Sequence, residues 1–533
     1  MKFHGKMAKF VTGASVLVLI GGLCRPCPAN AVELYYSGHG GQGSVSGSMH
    51  VLHVDENKYI VDVGLFMDGD GDNHPWPEDV PVDSIRAVFI THAHADHVGR
   101  LPLLFREGYR GPVYMTEVTL DIVRKTLPGN LRWADFGVER FYYSRHHKGK
   151  SRIPVYLEGY DFGKYTVLEK NRIFIEMKRS DLEGKGFYLQ SMQVKKLMDE
   201  LLERLDRQVR VLHPGQTVGI DGVVVEFINT SHIPGSVMVA FSAAERDLLF
   251  TGDVGSDGSP LLNPTLPLMD REIDYAWFEG TYDSPRCTDY ERERRRFCET
   301  IGELVEGNYR VVIPAFVLDR TQQVLFEISR AMEEGVIPAE APVKVYSASA
   351  NEITRLYRRW AADPIVVDRY FSDAMKVEWF STPAYQEPKV NWGSADPLRL
   401  GYGEIGIMSS GMAEHSFARR AVLHYGADTG TVFYFVSYLA PGTPGWQMVN
   451  GASSVTVPGG KRVSYRAKSH VTGAFSSHAD PEKMLKIFGR SKIGKLFLVH
   501  LDPGKADILQ SFYRENLGVP VHVPEPGEMI RLR

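Results

Sequence analysis

The segment 91–97 (Thr-His-Ala-His-Ala-Asp-His) constrains this chain more than any other part of its sequence. It follows the apolar run 87–90, which predicts a buried strand of an α/β fold. His92 and His94 would project from the same side of an extended chain, as two imidazoles bound to one metal ion must. Asp96 and His97 follow where a helix is predicted to begin. Such nitrogen and oxygen ligands at a strand end suit Zn²⁺, or Mn²⁺ or Fe²⁺; the alternative is a histidine-rich loop that binds nothing.

Length and composition favour an ordinary globular protein of two or three domains. The chain has 533 residues, and its 51 glycines and 30 prolines are spread along it, as short connections of an α/β protein require. We find no short-period repeat or low-complexity tract, which argues against a solenoid or a disordered chain. Four cysteines are too few for a disulfide scaffold.

The first 31 residues have the pattern of a secretory signal peptide. Three lysines precede the apolar stretch 11–23, which is too short to span a bilayer, and Ala29-Asn-Ala31 is typical of a cleavage site. Cleavage would place the protein in the periplasm or outside the cell, with no stable membrane span; without cleavage it would be cytoplasmic. Since segment 1–31 contains four basic residues and no acidic residue, cleavage would change the net charge from −4 to −8. A mature chain that acidic does not favour strong nonspecific nucleic-acid binding.

Further potential ligands follow other predicted strands. Asp62 ends the strand 58–62, and His232 comes shortly after 223–228. Asp253 follows 248–250, and His500 follows 495–499. One histidine or aspartate after a strand is usually a cap or turn residue. Together with 91–97, however, these residues are enough for two metal ions that share one oxygen ligand.

In this order, the motifs resemble those of the metallo-β-lactamase fold, and the later ones resemble its β-CASP branch. That branch includes bacterial ribonuclease J and the endonuclease subunit of the eukaryotic pre-mRNA cleavage and polyadenylation factor. The resemblance extends from about residue 34 to the C-terminus. The later motifs are Trp-Phe-Glu-Gly-Thr-Tyr at 277–282, Val-Ile-Pro-Ala-Phe-Val-Leu-Asp-Arg-Thr-Gln at 312–322, Met-Ser-Ser-Gly-Met at 408–412, Ser-Tyr-Leu-Ala-Pro-Gly-Thr-Pro-Gly at 437–445, Phe-Ser-Ser-His-Ala-Asp at 475–480 and Leu-Val-His at 498–500.

The resemblance implies an α/β fold, an αββα sandwich into which an α/β cap domain is inserted. The first part of the sandwich would comprise residues 32–282, and the cap would comprise 283–462. Residues 463–533 would then return to complete the sandwich. The sequence of the cap predicts a helix at 289–306, a strand at 310–316, a helix at 320–334, a strand at 343–347 and a helix at 351–361.

The resemblance also implies how the ligands divide between two zinc ions. Asp253 would bridge the ions, and each ion would have three further ligands. The first group comprises His92, His94 and His232, and the second comprises Asp96, His97 and His500.

Other residues around the metals receive roles from the same resemblance. His478 would protonate the leaving oxygen, and Glu279 would orient its imidazole and keep it cationic. Asp62 would support the histidines of the first zinc. The residues that would cradle flanking phosphates are Arg320, Ser409, Ser410 and Gly411.

Several positions depart from the branch's motifs. Gly280 and Asp283 follow Glu279 where relatives have serine and glycine, and Asp319 replaces glycine before Arg320. The segment Ala-Glu-His-Ser at 413–416 follows the Ser-Ser-Gly-Met motif where relatives often have a pair of glycines. The segment 145–215 is longer than the usual link between the second and third motifs. None of these departures removes a ligand, but three lie where relatives approach the nucleic-acid backbone.

The motifs therefore predict a dinuclear metallo-nuclease that cleaves RNA, or single-stranded DNA. An exported hydrolase of a small phosphodiester or an ester or amide is the alternative, favoured by the signal-like start. A non-catalytic binding protein on this fold is disfavoured because every expected ligand is present. The oligomeric state stays open, with a homodimer as one option.

Overall fold

The computed structural model describes residues 32–67, 76–130, 150–155, 166–169, 172–178, 199–256, 258–284, 289–376, 385–388 and 398–532. The predicted signal peptide, 1–31, lies outside the described residues. Within them, no helix is both long and apolar enough to cross a membrane.

Two seven-stranded sheets form the body of the molecule. The first has the order β25-β1-β2-β3-β4-β5-β9 and the second the order β10-β11-β12-β13-β14-β23-β24. In both, antiparallel strands on one side give way to parallel strands on the other. The first sheet comprises β1 (Leu34–Gly38), β2 (His50–Val54), β3 (Asn57–Val61), β4 (Ile85–Phe89), β5 (Val113–Met115), β9 (Val209–Val211) and β25 (Ile530–Arg531). The second comprises β10 (Thr217–Ile220), β11 (Val223–Asn229), β12 (Val237–Ala243), β13 (Arg246–Phe250), β14 (Glu272–Glu279), β23 (Lys492–Val499) and β24 (Val521–His522).

The two sheets pack face to face. Alternate residues along each strand point to the same face, so each sheet contributes one apolar face to a shared core. Aromatic rings fill its centre: Phe250 stacks on Trp277 at 4.2 Å between ring centroids, and Trp277 stacks on Phe497 at 4.8 Å. This arrangement confirms the predicted sandwich.

Helices cover the outer faces of the sandwich. A glycine and a buried arginine divide the helix predicted after the histidine motif into α1 and α2. The helices are α1 (Ala95–Val98), α2 (Leu101–Arg106), α3 (Glu117–Asn130), α4 (199–208), α11 (Pro481–Phe488) and α12 (Ala506–Leu517).

The cap is built on a parallel sheet of six strands in the order β17-β16-β18-β15-β19-β22. Its strands are β15 (Arg310–Pro314), β16 (Val343–Tyr346), β17 (Tyr385–Gln386), β18 (Ile405–Met408), β19 (Thr431–Phe435) and β22 (Lys468–Val471). Its helices are α5 (Tyr290–Glu306), α6 (Arg320–Glu333), α7 (Ala348–Ala361), α8 (Pro364–Tyr370), α9 (Ser416–Tyr425) and α10 (Pro444–Val449). The three helices and two strands predicted between 289 and 361 are confirmed, apart from shifts of a few residues at their ends.

Two short strands lie at residue 462, the predicted end of the cap. The hairpin of β20 (Ser454–Val457) and β21 (Lys461–Ser464) spans that position, and β22 pairs with β19 in the cap sheet. The cap sheet therefore takes in residues up to 471, while the division into domains stays a prediction.

Part of the long 145–215 segment is described. Its backbone contains a separate antiparallel sheet in the order β6-β8-β7, followed by α4 and β9. The three strands are β6 (Lys150–Val155), β7 (Thr166–Glu169) and β8 (Arg172–Lys178).

Candidate metal centre

The carboxyl ends of strands from both sheets meet at one edge of the sandwich. His92 comes three residues after β4, His232 three residues after β11 and Asp253 three residues after β13. His500 directly follows β23, and Glu279 is the last residue of β14. Because parallel neighbours end at the same side of a sheet, this topology brings together residues far apart in the sequence.

Three histidines and one oxygen of Asp253 form the first group of potential ligands. His94 Nδ1 lies 3.1 Å from Nε2 of His92 and 3.1 Å from Nε2 of His232. Asp253 Oδ2 lies 3.5 Å from His92 Nε2 and 3.4 Å from His232 Nε2. The four ligand atoms lie within 4.8 Å of one another, so one ion could contact all of them.

The second group faces the other oxygen of Asp253. His97 Nε2 lies 3.3 Å and His500 Nδ1 3.6 Å from Asp253 Oδ1, and Asp96 Oδ2 lies 3.5 Å from His500 Nε2. The Asp253 carboxylate thus stands between the two groups, with one oxygen toward each.

The donor set fits divalent cations. His97 Nε2 and Asp253 Oδ1 are completely buried and make no hydrogen bond within the described part of the chain, although such atoms are normally paired. Burial and the charge of neighbouring histidines hold the pKa values of His92 and His232 well below the usual range, and burial lowers the pKa of His94 to about 4. These three imidazoles are therefore neutral at physiological pH, the form in which histidine binds a metal.

Asp62 fixes the orientation of His97. Its Oδ2 accepts hydrogen bonds from His97 Nδ1, at 2.7 Å, and from the Thr91 hydroxyl, at 2.8 Å. The His97 proton is then on Nδ1, which leaves Nε2 free for a metal. The resemblance placed Asp62 behind the histidines of the first group. The structure instead places it on His97 of the second group, and its link to His92 runs through the Thr91 hydroxyl, 3.0 Å from His92 Nδ1.

A close approach of two loops makes this arrangement possible. The amide of Val63 donates to the carbonyl of His97 at 2.8 Å, and Gly64 packs against the Asp96 carbonyl. A Cβ on Gly64 would lie 1.6 Å from that oxygen, so only glycine fits there.

Two supporting contacts had no signal of their own in the sequence. His232 Nδ1 donates to the backbone carbonyl of Ser477 at 3.0 Å, and Thr281 Oγ1 lies 3.1 Å from His500 Nδ1. Both residues lie inside the quoted motifs, Thr281 in 277–282 and Ser477 in 475–480. The motifs assigned a role to Glu279 and His478 but none to these two residues.

His478, which is partly exposed, and Glu279, which is buried, form an ion pair beside the ligands. His478 Nδ1 lies 3.1 and 3.2 Å from the two Glu279 oxygens and 3.9 Å from Asp253 Oδ2. The amide of Val254 donates to Glu279 at 2.9 Å, which holds the carboxylate in place. Burial opposes a charge on His478, but Glu279 outweighs it and raises the pKa of His478 to about 10. The imidazole is therefore cationic at neutral pH.

The predicted phosphate-binding residues lie in the cap and are engaged within the protein. Arg320 is buried; its Nη2 donates to Ser477 Oγ at 2.8 Å and its Nη1 to the carbonyl of Val436. Arg320 therefore holds the loop that carries His478. Ser409 is also buried, and its hydroxyl lies 3.0 Å from that of Ser416.

The rest of the predicted phosphate cradle follows β18 and approaches the loop after β19. Ser410 accepts a hydrogen bond from the His415 amide at 3.2 Å, and a Cβ on Gly411 would lie 3.0 Å from Ser437 Oγ. Of these residues, only Ser410 keeps a partly exposed surface.

Comparison with known proteins agrees with this architecture. Residues 43–279 match the Metallo-beta-lactamase superfamily, and residues 321–448 match the Beta-Casp domain. Ribonuclease TTHA0252 of Thermus thermophilus is 26% identical over 453 residues, which cover 84% of this chain and 88% of that protein. Transcription termination factor FttA of Cenarchaeum symbiosum is 25% identical over 531 residues (95% and 72%). RNase aCSPSF2 of Saccharolobus solfataricus is 24% identical over 502 residues (92% and 84%).

These matches, together with the sandwich, the cap and the histidine cluster, show that the chain combines a metallo-beta-lactamase domain with a Beta-Casp domain and is a metal-dependent hydrolase.

Proposed function

We propose that this protein is a dinuclear zinc-dependent ribonuclease that hydrolyses phosphodiester bonds of RNA, or of single-stranded DNA. The observation that carries the proposal is the position of Asp253. One oxygen faces His92 and His232, the other faces His97 and His500, and a cationic His478 stands alongside.

Zinc suits this donor set because imidazole nitrogens and carboxylate oxygens are its usual non-thiolate ligands. When bound, two ions so placed would lower the pKa of a water molecule and neutralise the charge that develops on a transferring phosphoryl group. A phosphodiester is the substrate for which such charge stabilisation matters most.

His478 provides the acid. Glu279 engages its Nδ1, so the proton on Nε2 is the one available to a leaving oxygen. The His478 side chain is 21% exposed, whereas Glu279 is buried; the imidazole therefore reaches solvent while its partner does not. Arg320 and Ser477 position this histidine from behind.

The relatives support RNA as the substrate class, since two of those compared above are ribonucleases by name. Transfer from them is a proposal, because their identity to this chain is 26% and 24%.

The test is turnover of a labelled single-stranded RNA by the purified full chain, with and without chelator, together with its zinc content. We expect cleavage that chelator abolishes and two zinc ions per chain. His478→Ala should lower kcat by about 10²- to 10⁴-fold with the zinc content unchanged. The matched control is His522→Ala, because His522 pairs with Glu528 at 3.0 Å and belongs to neither group of ligands, and its activity should equal that of the wild type.

Three results would contradict the proposal. Full activity in strong chelator would exclude the metal-dependent mechanism. Loss of zinc from His478→Ala would make His478 a ligand, which its grouping with Asp253 and Glu279 permits geometrically. Turnover of a small bis-phosphodiester but not of RNA would favour the exported hydrolase, and N-terminal sequencing of the native protein would test the proposed removal of residues 1–31.

A further inference from the structure

One part of the cap has a charge opposite to that of the rest of the chain. Residues 405–471 contain six lysines and arginines but only two acidic residues, a net charge of +4. Since the whole chain carries −4, the remaining residues carry −8. A basic segment in an otherwise acidic protein marks a surface suited to an anionic partner.

Four of these cations lie close together on the surface. Lys461 and Arg462 are on β21, Arg466 follows that strand, and Lys468 begins β22, the edge strand of the cap sheet. All four side chains are exposed. We call them the basic edge.

Within the described part of the chain, none of the four forms an ion pair. Arg462 donates to the Ser454 hydroxyl at 2.6 Å, Arg466 to the Ala427 carbonyl at 3.0 Å and Lys468 to the Tyr309 hydroxyl at 3.1 Å. Cations elsewhere on the surface do have acidic partners, as Lys492 has Glu272 at 2.7 Å. The positive charge of the basic edge is thus available to an anionic ligand.

Backbone hydrogen bonds hold the basic edge against the end of α9. The amides of Arg466 and Ala467 both donate to the Gly426 carbonyl, at 2.7 and 3.0 Å. The nearby acid, Asp428, is already neutralised by Arg310 at 2.6 Å. Partial burial and the charges of Arg420 and Lys461 also lower the pKa of His424, consistent with a positive potential here.

Aromatic rings accompany the cations. Lys468 Nζ lies 4.5 Å from the centroid of the Tyr309 ring, and Tyr402 is 51% exposed beside Arg310, whose guanidinium lies 4.4 Å from its ring. Proteins that bind single-stranded nucleic acid combine cations for the backbone with aromatic rings for the bases.

The basic edge is connected to the metal centre by one strand. β22 runs from Lys468 to Val471, about 10 Å, and the chain then continues through Ser477 to His478. The basic edge therefore lies at the end of the cap sheet away from the ligands. An RNA strand that extends from the metal centre could reach it.

We propose that the basic edge binds the phosphate backbone of RNA that extends beyond the metal centre. This inference rests on the proposed function, because it concerns the same substrate. It predicts that long RNA binds more tightly than a substrate too short to leave the metal centre.

The test compares two quadruple variants of the full chain. One carries Lys461→Gln, Arg462→Gln, Arg466→Gln and Lys468→Gln. The control removes the same charge from cations that have acidic partners, through Arg295→Gln, Arg355→Gln, Lys376→Gln and Lys492→Gln. Binding of a fluorescein-labelled 30-nucleotide oligouridylate is measured over a range of KCl concentrations, with His478→Ala added to each variant to prevent cleavage. Cleavage of the dinucleotide UpU is measured with variants that retain His478.

We expect the basic-edge variant to bind the 30-mer about 10- to 100-fold more weakly than the control near 0.1 M KCl. The slope of log Kd against log [KCl] should be smaller than that of the control by about 2 to 3, since each phosphate contact on a single strand contributes about 0.7 to the slope. UpU cleavage and the thermal midpoint should match the control. Equal Kd values for the two variants, or binding of the basic edge to phosphatidylserine vesicles but not to RNA, would overturn the inference. Absence of RNA cleavage by the wild type would instead refute the proposed function, and the binding comparison would still decide on the basic edge.

Discussion

The metal centre and the facing loops of the cap differ in how their polar side chains are used. In the sandwich, every predicted ligand reaches the cluster, and buried His97 Nε2 and Asp253 Oδ1 have no hydrogen-bond partner among the described residues. In the cap, Arg320 and Ser409 were predicted to bind phosphates but are hydrogen-bonded within the protein. The polar atoms of the sandwich edge are thus available to a cation, whereas these cap residues hold parts of the protein together.

The difference follows from backbone geometry. His92, His232, Asp253 and His500 come within three residues after a strand whose pairing fixes the position of the chain, so a short motif largely determines where these side chains point. The predicted cap residues also follow strands, but the side chains of Arg320 and Ser409 bond to other groups of the protein. A motif there identifies the loop but does not determine which of its atoms faces the substrate.

The largest effect is expected from Asp253→Asn. An amide would offer one oxygen where the carboxylate offers two, and the positive charge of two cations would lose its central counter-charge. We expect both zinc ions to be lost on dialysis and turnover to become undetectable. Zinc content measured by atomic absorption and hydrolysis of labelled RNA check this expectation.

Ser409→Ala is the counterpart in the cap and should leave the zinc content at the wild-type value, because Ser409 contacts Ser416 and no ligand in the described structure. Retention of two zinc ions by Asp253→Asn would remove the basis for treating the sandwich edge as one dinuclear centre.

An intermediate effect is expected from Asp62→Asn, which should affect the zinc affinity of one group of ligands and not that of the other. An amide at this position would place a donor toward His97 Nδ1, so that the His97 proton moves to Nε2, the atom that faces Asp253. Outer contacts of this kind typically alter metal affinity by 10- to 100-fold. We expect one zinc site to weaken by about that factor while the other keeps its affinity.

Competition with a fluorescent zinc chelator resolves the two affinities. Thr91→Val serves as the comparison, since it removes the hydroxyl near His92 but leaves the Asp62–His97 contact. Equal weakening of both sites by Asp62→Asn would show that Asp62 supports the whole cluster rather than one group of ligands.

Much of the fold and of the ligand set could be predicted from the sequence. The residues of the histidine motif, Asp253 and His500 come together in the structure because their positions depend on local chain direction, while their role as metal ligands stays a prediction. The partner of Asp62 was wrong because the sequence does not reveal that β3 ends opposite His97 rather than His92. The contact of Ser477 with His232 was missed for a similar reason, since a backbone carbonyl has no residue type. The inclusion of β22 in the cap sheet depends on pairing with β19, which no local pattern predicts.

Asp319 shows what a cap residue does when it departs from a motif. It stands where the motif it resembles has glycine, and its φ of 64° and ψ of −49° are those of a γ-turn of positive φ, which the Arg320 amide closes by donating to the Leu318 carbonyl at 2.8 Å. Its carboxyl is buried, where it accepts a hydrogen bond from the Tyr357 hydroxyl at 2.6 Å and another from Gln323. Burial outweighs these contacts and raises the pKa of Asp319 to about 6.

The smallest effect, on stability alone, is expected from Asp319→Asn. Because the pKa of Asp319 in the folded state exceeds its unfolded value of about 3.9, the folded state binds the extra proton. The stabilisation is complete below that unfolded value and is lost as the pH rises through about 6. Between pH 4.5 and 7.5 the wild type should therefore lose about 2 kcal/mol more unfolding free energy than Asp319→Asn. Urea denaturation at several pH values measures the difference, and Asp83→Asn, at an exposed carboxyl, controls for the loss of a charge. If the two pH profiles were parallel, Asp319 would be ionised in the folded cap over this whole pH range. The cap would then contain a buried carboxylate, as the metal centre does.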